Sequence, residues 1–244
     1  MPQLKPAQTL QQIPETAVVI ASGGKGLRMG SAKNKNYLSL LGKPVLAYTL
    51  SVFEVCPLVN TLTLVVPKND IEFCKNEIVS VYGFKKIINI TAGGSERQDS
   101  VFNGINAAIN NAKIRPGIIA VHDGARPLVS LKIIEDVIRS AAASGAAIAA
   151  VPVKDTVKEA NNGFVSKTLA RNTLWSVQTP QAFWTETLLE AYKKAHEDNF
   201  FGTDESSLAE RLGVDVKIIE GSYENIKITT PVDMLFAEAV LKAR

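Results

Sequence analysis

The 244 residues predict an α/β protein, a Rossmann-like, mostly parallel, twisted sheet with flanking helices and a protruding β-arm for dimerisation. Three observations carry this. Short apolar runs rich in β-branched residues alternate with stretches of helical period, the pattern of βαβ units. Two glycine-rich turns, ASGGKG at 21–26 and TAGGS at 91–95, directly follow such runs. The alternation then breaks at 154–183, where an Asn-Asn-Gly turn separates two β-prone segments.

Taken in order, Ala17–Ile20 (AVVI) reads as a buried strand that delivers the first glycine turn. Pro44 opens a helix with Leu46, Leu50 and Phe53 on one face. Thr61–Val66, stopped by Pro67, is a strand; a helix follows from about Asp70, then a strand at Lys86–Ile90 and the second glycine turn. Ser100–Asn110 has Val101, Ile105 and Ile109 four apart and is helical, with an N-terminus able to hold negative charge. Gly117–Val121 is the most apolar short strand. Leu131–Ser144 is a helix and Ala146–Val153 a further buried strand. The arm, expected over 154–183, is an isolated hairpin and needs support from another subunit, with Phe164 and Trp175 as anchors. Helices at Thr185–His196 and Asp204–Leu212 and a strand at Val214–Glu220 follow, and Thr230-Pro231 with Asp233 starts a terminal helix.

Composition bounds the function. Hydrophobic residues at 46% and charged residues at 21% describe a packed globular chain. The net charge of +3 suits small anionic substrates, and no Lys/Arg run resembles a nucleic-acid footprint. Residues 1–15, with three prolines and no apolar signal core, are expected to be a loose polar extension, and 16–244 a single domain. No segment approaches a membrane span, so a cytoplasmic protein without a membrane partner is expected. Cys56 and Cys74 lack metal-ligand spacing and read as reduced thiols.

The chemistry gathers at the strand ends. Gly23, Gly24 and Gly26 lack a Cβ, so backbone N–H groups there can approach phosphate oxygens, with Arg28, Lys33 and Lys35 as a positive wall. Neither GxGxxG nor GxxxxGK[ST] is present. Asp123 directly follows a central strand, where open α/β sheets bind ligands, and is the metal candidate. His122 ends a buried strand and reads as a hydrogen-bonded core residue, and His196 as part of a polar helix end.

The ordered set of loop 22–38, LLGKPVLAYTL, GGSERQDSV, VHDGARP, PVKDTVK, RNTLWSVQTPQAF and EGSYENIKITTPVD resembles the 2-C-methyl-D-erythritol 4-phosphate cytidylyltransferases of the non-mevalonate isoprenoid pathway, from about Ala17 to the C-terminus. The resemblance implies Mg²⁺-dependent transfer of CMP from CTP to a polyol phosphate. It makes Arg28 and Lys35 catalytic and stabilising in the transition state, together with Arg171 and Lys227. It implies that Ser22, Gly23, Gly24, Gly26, Gly94, Ser95, Arg97, Ser100 and Gly124 bind CTP, Arg97 by bracing the second loop, and that Asp123 holds Mg²⁺. Arg126, Thr156, Arg171 and Lys227 would hold the acceptor phosphate, with Thr156 and Arg171 reaching a neighbouring subunit's site across a homodimer. Lys33 has no assigned role.

Two departures from the family pattern carry expectations. Asn34-Lys35-Asn36 replaces the usual Pro-Lys-Gln, which should loosen the loop presenting Lys35. HDGARP replaces HDAARP, which should make Gly124 a more flexible neighbour of the metal ligand. Ribitol-5-phosphate cytidylyltransferases share the fold and reaction and are the alternative, although PVKDTVK and the Leu-Trp before QTPQ favour methylerythritol phosphate. A nucleotide-binding protein without turnover is the alternative from another class.

Overall fold

The computed structural model describes residues 13–24 and 34–244. Gly26, Arg28 and Lys33 therefore lie outside the described residues. The chain enters as β1 (Thr16–Ala21), buried from Thr16 to Ile20. After the first loop comes a 3₁₀ turn, Lys35–Tyr37. A tight two-stranded ribbon, β2 (Ser39–Leu40) and β3 (Lys43–Pro44), leads into α1 (Val45–Val55). β4 (Thr61–Val66) ends at Pro67. The next helix, α2 (Ile71–Phe73), continues as a π-helical stretch, Cys74–Ser80. β5 (Ile87–Ala92) and α3 (Arg97–Asn111) follow. α3 begins three residues earlier than its apolar spacing suggests, because Glu96 and Asp99 form a reciprocal capping box.

β6 (Ile118–Asp123) is buried throughout, and Asp123 is its last residue. α4 (Leu131–Ser144) is capped by the Ser130 side chain and ends at Gly145, whose φ of 91° is the left-handed conformation that glycine tolerates. β7 (Ala146–Pro152) leads to the hairpin of β8 (Lys158–Asn161) and β9 (Phe164–Thr168), closed by Asn162 and Gly163 at φ 48° and 84°. Then come β10 (Trp175–Trp184), α5 (Thr185–Glu197), α6 (Glu205–Arg211), β11 (Lys217–Glu220) and α7 (Pro231–Ala243). α7 starts where Thr230-Pro231 signalled a helix, and Thr230 and Asp233 form a capping box there.

The main sheet runs β11-β7-β10-β6-β1-β4-β5, with β10 antiparallel to both neighbours and the remaining pairs parallel. This corrects the expected extent of the arm. Trp175–Trp184 is a strand of the main sheet between β6 and β7, and the excursion contracts to β8, β9 and their stems. Pro180 is accommodated because the β10–β7 register shifts between Val177 and Gln181, so no ladder bond is needed from it. Alternate residues of β1 and β6 enter two apolar cores, one on each face. Val18, Ile20, Ile118 and Ala120 pack with α1 and α4; Ala17, Val19, Ile119 and Val121 pack with α3 and α5. A third cluster around Leu40, Leu128, Ile228 and Ala237 seats α7. Every residue of β8 and β9 is exposed, Phe164 at 79% and Val165 at 63%. Among the described residues no helix is long and apolar enough to cross a membrane.

Candidate active site

Parallel register decides where the loops meet. Ala21 pairs with Val65 on one side and with Asp123 on the other, so three chain segments leave the sheet at one edge. Each continues the ladder one residue further: Ser22 N–H donates to the Val65 carbonyl at 2.8 Å, Gly93 N–H to Val66 at 2.9 Å, and Gly124 N–H to Ala21 at 2.9 Å. A cavity of about 590 Å³ opens there, walled by Gly23, Gly24, Gly94, Ser95, Ser100, Lys35 and Asp123, with Arg97 and Lys227 at its side.

The second glycine loop is folded onto the start of α3. Ser100 Oγ accepts from Gly94 N–H at 2.9 Å and donates to the Glu96 carbonyl at 2.9 Å, while Ser95 Oγ donates to Asp99 at 2.7 Å. A Cβ on Gly94 would lie 2.4 Å from Asp99 Cβ, so glycine is required by this close approach. The two glycine loops face each other across the Ser100 hydroxyl, with a Gly23 Cβ falling 3.5 Å from it. This leaves their backbone N–H groups around one space.

The far end of the first loop is tied back by side-chain hydrogen bonds. Asn34 accepts from Asn36 N–H at 3.1 Å and caps the 3₁₀ turn; Asn36 Nδ2 donates to the Ser22 carbonyl at 3.1 Å, and Asn34 Nδ2 adds a longer contact at 3.4 Å. At residues 34–36 the asparagines make side-chain hydrogen bonds where proline would restrain φ. Residues 30–33, part of the loop expected to loosen, lie outside the described residues.

Asp123 is the charged centre. Its side chain is 8% exposed, with Oδ2 3.0 Å from Lys227 Nζ and 3.1 Å from Arg126 Nε, and Oδ1 3.9 Å from Arg97 Nη2. Burial alone would raise this carboxyl's pKa, but Lys227, Arg126 and Arg97, in that order, outweigh it and hold the pKa well below the carboxylate range. Arg97, at the start of α3, is tied to α6. It makes a two-pronged bridge to buried Glu205 at 2.8 and 3.0 Å, and Tyr192 Oη donates to the same carboxylate at 3.2 Å. Burial opposes the charge of Arg97, yet Glu205 and then Asp123 keep its pKa above the ordinary value.

A second cavity of about 250 Å³ adjoins the first across Asp123, Arg97 and Lys227 and is further lined by Arg126, Thr179, Gln181 and Thr203. Thr179 stands at the β10 register shift and is fastened to the metal-candidate loop. Its Oγ accepts from Asp123 N–H at 3.0 Å and donates to His122 Nδ1 at 3.0 Å, while His122 Nε2–H donates to the Arg126 carbonyl at 3.3 Å. The carbonyl can only accept, which fixes this tautomer. His122 is thus the buried, hydrogen-bonded histidine that the sequence suggested, its pKa pushed down to about 3, chiefly by burial. Thr156 and Arg171 are exposed on the stems of the arm and are absent from the described lining of either cavity; the Arg171 guanidinium donates to the Lys154 carbonyl. Thr179, Asn36 and Glu205 escaped sequence reasoning. Only the Thr179-Pro180 step, which breaks a β-prone run, offered a local signal.

Gly124 packs closely against Ser22. A Cβ there would lie 1.9 Å from Ser22 Oγ and 3.2 Å from Leu46 Cδ1, and the Ser22 hydroxyl is buried without a hydrogen-bond partner among the described residues. The two positions fill one space.

An open α/β sheet with two glycine loops converging on a cation-ringed carboxylate at a strand's carboxyl end defines a nucleotidyltransferase. Comparison with known proteins then gives the family: the IspD family, 2-C-methyl-D-erythritol 4-phosphate cytidylyltransferase, matches residues 16–243, and the chain belongs to it. It is 48% identical over 236 residues to the protein of that name from Alkaliphilus oremlandii, covering 96% of this chain and 98% of the relative. It is 47% identical over 230 residues to that of Syntrophus aciditrophicus, covering 94% and 97%. Among solved structures, the 4-diphosphocytidyl-2C-methyl-D-erythritol synthase of Anaerococcus prevotii superposes with a TM-score of 0.83 at 30% identity, covering 97% of this chain and all of that one.

Two outcomes follow from this geometry. Gly124→Ala should lower activity at least about tenfold by forcing the Asp123 loop away from Ser22, and adding Ser22→Ala should restore most of it, because the oxygen in the way is gone. A steady-state assay of the two single variants and the double variant checks the coupling. Second, an unfolded imidazole protonates near 6.5 and the buried one near 3. Between those values the unfolded chain binds more protons, so stability present above pH 6.5 is lost on acidification. His122 should account for about 2 kcal/mol of lost stability from pH 7 to pH 5. Denaturant titrations at the two pH values, with His122→Asn as the variant lacking this component, measure it.

Proposed function

We propose that the protein transfers CMP from CTP to 2-C-methyl-D-erythritol 4-phosphate, releasing pyrophosphate. The observation that carries this is the sharing of Asp123, Arg97 and Lys227 by two adjoining cavities, one floored by glycine loops and one lined by cations and hydroxyls. Gly23, Gly24, Gly94, Ser95 and Ser100 would receive the nucleotide, with Ser22 and Gly124 behind them. Arg126 and Lys227 face the acceptor side, where forked and point-charge donors suit a phosphate dianion. An oxygen of the acceptor's phosphate attacks the α-phosphorus, the bond to the bridging oxygen of the β-phosphate breaks, and pyrophosphate leaves. Charge builds on the α-phosphoryl oxygens, so this chain's contribution is positioning and fixed positive charge from Lys35 and, outside the described residues, Arg28.

The residues fit a magnesium ion. The described residues contain no cluster of three His, Cys, Asp or Glu side chains for a metal, but a hard cation on a nucleotide needs only one or two carboxylates, with phosphates and water as its other ligands. Asp123, kept ionised by its neighbours, would be that ligand. When bound, Mg²⁺ neutralises phosphate charge and favours departure of pyrophosphate.

We further propose a homodimer in which the exposed arm carries Thr156 and Arg171 to the partner's acceptor cavity. The fully exposed hairpin with Phe164 and Val165 at its tip supports this, since two strands alone are marginal in water. A small-molecule enzyme of the cytoplasm without nucleic-acid partners is the consistent cellular reading.

Pyrophosphate release with CTP and Mg²⁺ tests the proposal. Methylerythritol 4-phosphate should outpace ribitol 5-phosphate, and Lys35→Ala should lower the rate about 100-fold or more. Faster turnover with ribitol 5-phosphate would reverse the acceptor assignment. Mixing inactive Lys35→Ala and Arg171→Ala subunits should regain roughly a quarter of wild-type activity if Arg171 acts in the neighbouring site, since half the random dimers then hold one intact site. No regain would place Arg171 in its own subunit's site.

A further inference from the structure

Asn225 is 0% exposed in the loop between β11 and α7, and it is absent from the described lining of both cavities. Its side chain nevertheless ties together the segments that carry the second one. Nδ2 donates to the Thr179 carbonyl at 2.9 Å and to Gln178 Oε1 at 3.1 Å, both at the β10 register shift. Its own carbonyl accepts from Arg126 Nη1 at 2.8 Å, and the Nε of that guanidinium reaches Asp123 Oδ2 at 3.1 Å. Two residues on, Lys227 Nζ lies 3.0 Å from the same Asp123 oxygen, and Ile228 N–H donates to the Ala125 carbonyl at 2.8 Å.

The chemistry of the side chain narrows its role. Both N–H groups of the amide are used, whereas Oδ1 is buried with no partner among the described residues. Leaving an acceptor unpaired is costly, so the site tolerates that cost for the sake of the two donors. Removing the donors would leave the Thr179 carbonyl and Gln178 Oε1 without this partner and free the loop that presents Lys227 and orients Arg126.

We infer that Asn225 is a positioning residue for the acceptor end of the site, its two amide donors locking the Lys227 loop onto the β10 bulge so that Arg126 and Lys227 converge beside Asp123. It touches no substrate itself. The inference rests on the proposed cytidylyl transfer and adds a residue to which neither the sequence reading nor the family resemblance gave a part.

A split between the two substrates distinguishes positioning from general support. In the full-length protein, Asn225→Ala should raise the KM for methylerythritol 4-phosphate about 10- to 100-fold, while the Kd of CTP with Mg²⁺, measured by calorimetry without acceptor, stays within about threefold. Asn225→Asp, of the same shape but with acceptors facing acceptors, should be at least as impaired as the alanine variant. Asn225→Ser, which keeps a single, shorter hydroxyl donor, serves if the other Asn225 variants do not fold; it should raise the acceptor KM about 2- to 10-fold with the same indifference to CTP. Parallel loss of affinity for both substrates, or an Asn225→Asp enzyme that behaves as wild type, would overturn the inference. Wild-type protein that fails to turn over CTP with this acceptor would remove the underlying functional reading instead, and is seen before any variant is made.

Discussion

A carboxylate almost out of water, held ionised by three cations, is the constraint on which the rest of the site depends. Asp123 is buried at the end of β6, and a lone buried charge would cost several kcal/mol. Lys227 and Arg126 offset that cost at hydrogen-bonding distance, and Arg97 adds a more distant positive charge. Each cation is in turn held from elsewhere: Arg97 by Glu205 of α6, Arg126 by the Asn225 carbonyl, Lys227 by the loop that Asn225 anchors. Segments far apart in sequence thus converge because one negative charge must be compensated. The same arrangement suits phosphoryl chemistry, where anionic substrates can draw those cations toward themselves.

The sheet makes this convergence possible. Parallel pairing brings the carboxyl ends of β1, β4 and β6 to one edge, so glycine loops and acid emerge side by side. The one antiparallel strand, β10, returns from the arm at that edge and places its irregularity beside Asp123, where the Thr179 hydroxyl meets the Asp123 amide. The neutral, buried His122 completes this fastening from within the core. The excursion and the cavity edge of the sheet are therefore one continuous feature of the chain.

Much of this was legible in the sequence. Apolar runs such as TLTLVV and GIIAV, and capping signals such as Thr230-Pro231, located the strands and helices, because burial and capping are local chemistry. The glycine turns and Asp123 stood out because residue type and strand-end position coincide. What escaped depends on distant partners. WSVQTPQ reads as arm because the Asn-Asn-Gly turn draws the β-prone segments on either side of it into one hairpin, yet its antiparallel pairing with β6 and β7 places it in the main sheet. Arg97 and Glu205 are 108 residues apart, and nothing local announces their pairing. Nor does anything local show that Gly124 is fitted to Ser22, or that the Asn34 and Asn36 side chains bind back to the Ser22 carbonyl.

Our central proposal is that Asp123 anchors the metal–nucleotide pair. It is tested most directly by electron paramagnetic resonance of Mn²⁺, standing in for Mg²⁺, titrated into wild type and Asp123→Asn with and without CTP. The account predicts tight, CTP-dependent Mn²⁺ binding in wild type that weakens about tenfold or more in the variant. CTP-dependent Mn²⁺ binding of equal strength in both proteins would contradict it.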